Sequence, residues 1–175
     1  NELDPRFIQA AMALIMGQKE TSSKAVESVL SKLEREEIEG GKVSVKFTRD
    51  WNNISRCIQM AVDHLCGDLK LPNASFLPSH LMVPVLAFFF HSNRRAQPTG
   101  KQRREIRKWF WATGVGRRYT GRGYYNNIRD DIDFFGRLGR RKNGNFALGD
   151  KIPVDEIRRA DYTSSASLGA AFFLL

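Results

Sequence analysis

The chain has 175 residues, 42% of them hydrophobic and 12 of them Phe, so it can bury a real core in one domain, and wholesale disorder is excluded. The formal net charge is +9, and the excess sits in the second half: residues 1–91 carry a net of −1 and residues 92–175 a net of +10. The longest apolar stretch, Leu81 to Phe90, is about half a membrane span and contains Pro84, which argues against a transmembrane helix.

Asp4 followed by Pro5 is a helix-start signal, and Phe7, Ile8, Ala11, Met12 and Ile15 then recur at helical spacing, with Gly17 as the stop. A second helix is expected from Ser23 to Glu37, with Val26, Val29, Leu30 and Leu33 on one face and Gly40-Gly41 as breakers. Lys42 to Phe47 alternates polar and apolar and reads as a short extended connector. Thr48 is then the expected cap of a long helix from Arg49 to Leu69, with Trp51, Ile54, Ile58, Val62, Leu65 and Leu69 as its seam. Cys57 and Cys66 both fall on that helix, roughly 13 Å apart along its axis. They cannot bond to each other there, and are expected as buried thiols in a reducing, cytoplasmic setting.

Pro78-Ser79 opens the next helix, apolar on nearly every side and so the expected centre of the fold. Pro84 is tolerable there only near the first turn. Ser92 to Gly100 reads as a loop, and Lys101 to Thr113 as a helix. Gly114 to Gly123 is a glycine- and arginine-rich turn, and Tyr124 to Leu138 a helix with Ile128, Ile132 and Phe135 inward. Gly139 to Gly149 is a basic loop. A short helix at Asp155–Ala160 and a last one at Ala166–Leu175 complete an all-α class, an irregular bundle of six or seven helices forming a single domain over 1–175. The missing initiator Met and the apolar final residues suggest a piece of a longer protein.

Between Arg94 and Lys142 there are 15 basic and 4 acidic residues, a balance that suits an anionic partner, most simply nucleic acid. On the helix Lys101–Thr113, Ile106, Trp109 and Phe110 gather on one side. Arg104, Arg107 and Lys108 gather on the other, with Trp111 among them. Arg103, Arg104, Arg107, Lys108, Trp111, Arg117, Arg118 and Arg122 are the candidate nucleic-acid contacts, guanidinium to phosphate and indole to base or sugar. Two readings stay open for Trp111, base contact or packing beneath a neighbouring helix, and two for the glycine turn, phosphate cradle or tight connection.

Asp130, Asp131 and Asp133 can pair with Arg117, Arg118, Arg129 or Arg137, or Asp130 and Asp133 can share a magnesium ion. His64, His80 and His91 form no zinc-type pair, and no nucleophile–base arrangement stands out, so no catalytic or metal-binding residue is assigned.

Two blocks carry a family resemblance: Leu77-Pro78-Ser79-His80-Leu81-Met82-Val83-Pro84-Val85-Leu86-Ala87-Phe88, and Lys108-Trp109-Phe110-Trp111-Ala112-Thr113 followed by Arg117-Arg118-Tyr119-Thr120-Gly121. Over most of its length the chain resembles the helical region of GmrSD-type restriction proteins, in which a ParB-like domain of unknown function is often joined to an HNH-type nuclease domain. The resemblance implies a role in defence against foreign or modified DNA, within a parent protein of the nucleotide-dependent endonuclease class. It implies flanking ParB-like and nuclease domains as partners. The ParB-like Asp-Gly-Gln-Gln-Arg motif and the histidine-rich nuclease motif are both absent here, so no catalytic residue and no cofactor of this segment follows. What matches family positions is a structural block: Pro78, Pro84, Trp109, Trp111, Arg118, Tyr119 and Asp131. The alternative expectation is a protein-interaction scaffold that docks flanking domains or a second copy as a homo-oligomer.

Overall fold

A computed structural model describes residues 5–40, 43–140 and 145–146. These residues fold into six α-helices, with no strand among them: α1 (Pro5–Ile15), α2 (Ser23–Gly40), α3 (Val43–Gly67), α4 (Met82–Ser92), α5 (Gly100–Val115) and α6 (Tyr124–Gly139). A single 3₁₀ turn, Ala74–Phe76, links α3 to α4 and is opened by the Asn73 side chain, which accepts from Ser75 N at 2.9 Å. The expected Asp4 cap, residues 141–144 and 147–149 of the basic loop and the two helices after residue 150 lie outside the described residues.

α4 is the hub. It packs against α1, α3 and α6, and all its apolar side chains except the half-buried Phe88 are buried, as its all-round hydrophobicity requires. Pro84 is the third residue of this helix, where an amide has no intrahelical acceptor to lose. Gly17 ends α1 in the left-handed region at φ 100°. Gln18 N reaches Ala13 O at 2.9 Å and Gly17 N reaches Leu14 O at 3.2 Å, the paired bonds of a Schellman stop.

The segment 43–47 is helical, not extended, and Thr48 lies inside α3 rather than capping it. A strand there has no partner for its backbone groups, whereas extending an existing helix adds a hydrogen bond per residue with no new nucleus. Phe47 stacks on Trp51 one turn later, centroids 6.2 Å apart at 16°. The α3 seam is covered from Ile54 onward, but Trp51 stays 39% exposed and Phe47 41%, and Leu30 on α2 is 43% exposed against expectation. Cys57 is buried while Cys66 is exposed. Nine residues turn a helix through about 180°, so the two thiols must point to opposite sides. Burial pushes the Cys57 thiol up to about 11.

A buried polar joint fixes the start of α5. Thr99 and Gln102 form a capping box, and the buried Gln102 amide donates to Asn93 Oδ1 and to Leu138 O, both at 3.0 Å. The ends of α4, α5 and α6 are thereby tied together. On α3, His64 Nδ1 lies 2.7 Å from Asp68, while its buried Nε2 has no hydrogen-bond partner among the described residues.

Burial, reinforced by Arg103 and Arg107 and opposed by Asp68, lowers the His64 pKa; burial and Arg95 lower that of His91. Below the ordinary histidine value near 6.5 the unfolded chain therefore binds more protons than the folded one, and stability declines as pH falls. Thermal melts between pH 8 and 5 are expected to show this decline. His64→Phe together with His91→Phe flattens it, and an equal decline in that variant would contradict the assignment.

Candidate nucleic-acid interface

α5 presents two unlike sides. Ile106, Trp109 and Phe110 are fully buried, Trp109 edge-on to Phe135 of α6 at 4.9 Å. Arg103, Arg104, Arg107 and Lys108 are exposed on the outer side. Trp111 is half-buried, packed against the core and edge-on to Phe110 at 5.3 Å.

Beneath the following turn lies a buried carboxylate. Asp131, 1% exposed, accepts at Oδ2 from Trp109 Nε1 (2.9 Å) and Tyr119 OH (2.6 Å), and at Oδ1 from Arg118 Nη2 (2.8 Å). Three donors converge on one buried acceptor, and the indole, phenol and guanidinium come from α5 and the turn while the carboxylate comes from α6. Burial pushes the Asp131 carboxyl up while Arg118 and the hydrogen bonds pull it down. Burial and the adjacent carboxylate hold the Tyr119 phenol protonated, well above its ordinary value.

Arg118 also lies over the Phe146 ring at 5.4 Å. The Phe146 amide donates to Glu105 Oε2 at 2.7 Å, and Phe146 meets Phe134 edge-on at 5.2 Å. The expected pairing of the acidic cluster with arginine is thus made by Asp131 and Arg118, whereas Asp133 meets Lys19 at 3.1 Å. Among the described residues no group of three or more His, Cys, Asp or Glu is placed to hold a metal ion.

The first half of the glycine-rich turn is closed by its own backbone bonds. Gly116 N, Arg117 N, Arg118 N and Thr120 N all donate to backbone carbonyls, and Asn127 Nδ2 fastens Arg118 O at 2.7 Å. Gly121 and Gly123 adopt positive φ, 76° and 86°. So does Arg117, at φ 48°, in the position where a Schellman stop prefers glycine.

The seven basic candidates therefore divide. Arg118 is turned inward onto Asp131, Lys108 meets Glu105 at 2.9 Å and Arg103 approaches Asp68 at 3.7 Å. Arg104, Arg107, Arg117 and Arg122 are exposed and make no ion pair among the described residues. Of the structural block, Pro78, Pro84, Trp109, Tyr119 and Asp131 are all buried.

Sequence reasoning missed Gln102, Glu105 and Phe146. The Thr99-to-Gln102 spacing is a capping-box signal that could have found the first. The Glu105–Phe146 bond spans 41 residues and has no local signature.

Arg117→Gly tests the strain directly. A side chain in the left-handed region costs about 1–2 kcal/mol, and glycine returns roughly 0.5–1 kcal/mol of that as backbone entropy. Urea unfolding is expected to show stability unchanged or raised by up to about 1 kcal/mol; a loss of that size would contradict the geometry.

No family model, no curated protein and no solved structure matches the chain.

Proposed function

We propose that this chain is a noncatalytic helical module of a GmrSD-like DNA-restriction or defence protein, working in the cytoplasm between a ParB-like and a nuclease domain. Its outer α5 side and the following turn contact the phosphate backbone of DNA. The observation that carries this reading is the set of four exposed arginines without an ion-pair partner among the described residues, Arg104, Arg107, Arg117 and Arg122. A guanidinium left in water keeps its donors for phosphate. Arg118 supports them from below: its charge is committed to Asp131, so its role is to hold the turn. Trp111, half-buried, keeps part of its ring surface accessible beside these arginines.

Fluorescence anisotropy with duplex DNA over a salt series tests the proposal. Four phosphate contacts give a slope of about −3.6 for log affinity against log salt. Affinity indifferent to salt rejects it.

A protein-interaction scaffold is the second reading, favoured by the exposed Leu30 and the Phe47–Trp51 stack on α2 and α3. On that reading light scattering finds a second copy bound, and Trp51→Lys releases it. A monomer at all concentrations removes self-association.

No helix among the described residues is long and apolar enough to cross a membrane.

A further inference from the structure

A second polar site lies apart from the basic face. A groove of about 340 Å³ opens between the end of α1, α2, α3 and the end of α4, with no lining residue from α5 or the turn after it. That volume is at the lower end of small-molecule sites. Ile15, Met16 and Ile54 supply apolar wall, Lys32, Lys46 and His91 supply cationic and hydrogen-bonding groups, and Asp50 is the carboxylate among the described lining residues. Asp50 is itself drawn to Arg49 at 3.5 Å.

The polar wall is oriented by a relay. Arg95 Nη1 donates to Asn53 Oδ1 at 3.0 Å, which turns the Asn53 amide nitrogen toward His91 Nδ1 at 3.1 Å. A ring nitrogen that accepts carries no proton, so in neutral His91 the proton sits on Nε2, at the far edge of the ring. Arg95 is held for this task by an unusual backbone. Arg94 and Arg95 both lie at positive φ, 54° and 59°, where the stop after α4 would take glycine more cheaply. Arg95 N bonds Phe90 O at 2.8 Å and Arg94 N bonds His91 O at 3.0 Å, the paired bonds of a Schellman stop, which fix where the Arg95 side chain departs.

We propose that this groove binds a small phosphate monoester: the phosphate meets Lys32, Lys46 and His91 Nε2–H, and the organic body lies on the half-buried Ile15 and Met16. The site is independent of the DNA-binding reading and does not use its residues.

Titration of the full chain with adenosine 5′-monophosphate, and separately with inorganic phosphate, tests the proposal by nitrogen-15 NMR of the histidines. The nucleotide is expected to move the His91 Nε2 resonance and leave that of His64 in place, with inorganic phosphate giving the same shift at higher concentration. Lys32 is an exposed side chain, so Lys32→Glu is expected to fold normally and weaken nucleotide binding about tenfold. Arg107→Glu leaves it unchanged. No shift of His91 at 10 mM of either probe, or affinity lost in Arg107→Glu but kept in Lys32→Glu, would overturn the site. Adenosine shifting His91 as strongly as its phosphate ester would overturn the phosphate assignment.

Discussion

Replacing Asp131 by Asn destabilises the protein by about 3–5 kcal/mol, the cost of breaking a buried pair and leaving one charge without its partner. The neutral amide can accept from one or two of the three groups that converge on Asp131, but its own NH₂ then faces a donor. The guanidinium of Arg118, with Nε already buried and unpartnered, is left to move outward. The turn loosens with it, because Arg118 O anchors Asn127, and Arg117 and Arg122 lose their fixed placement. Urea unfolding at pH 7 measures the effect; a change under 1 kcal/mol would show that the quartet does not hold the turn.

Arg118→Met separates charge from shape. It removes the cation that holds the Asp131 pKa down, so burial raises that pKa further. A carboxyl with a raised folded pKa gives stability that is full below its ordinary value and is lost as pH rises through the folded one. Relative to wild type, Arg118→Met is therefore expected to lose stability as pH rises through that raised pKa, opposite in sign to the histidine effect, and urea unfolding of both proteins over the acid-to-neutral range measures the difference.

The second large effect is at the crossing of α4 and α6. A Cβ on Gly139 would lie 2.7 Å from Ser92 Cβ and 2.8 Å from both Asn93 N and Ser92 C, most of it backbone that cannot yield. Gly139→Ala therefore pushes the two helix ends apart and strains the Gln102 bond to Leu138 O, at about 1–3 kcal/mol. Gly136, one turn earlier, has only an ordinary contact at 3.8 Å with Phe88. Gly136→Ala is expected to stabilise by roughly 0.5–1 kcal/mol through helix propensity. Thermal unfolding of the pair decides the point: equal signs for the two variants would contradict the close approach.

Much of this architecture was legible in the sequence because its signals are local. The inward stripes of α5 and α6, the all-round apolarity of α4 and the Gly17 stop depend on neighbours within a turn or two. The start of α3 was not legible, since five alternating residues fit a strand until the helix beyond them is known to continue backward. Leu30 and Trp51 lie on apolar stripes and so read as inward from sequence; whether a stripe is covered depends on where the neighbouring helix ends. The pairing of the acidic cluster with arginine followed from charge. The convergence of Trp109, Tyr119 and Arg118 on Asp131 did not, because it needs two helices and a turn folded onto one another.

The arginine face is tested most directly by comparing salt slopes. The wild-type chain and an Arg104→Gln, Arg107→Gln, Arg117→Gly, Arg122→Gln variant are titrated with the same duplex DNA, after circular dichroism has shown both folded. The account predicts a wild-type slope of about −3.6 that collapses toward zero in the variant, with about 0.9 lost per arginine. A variant that keeps both the affinity and the slope of the wild type would contradict it.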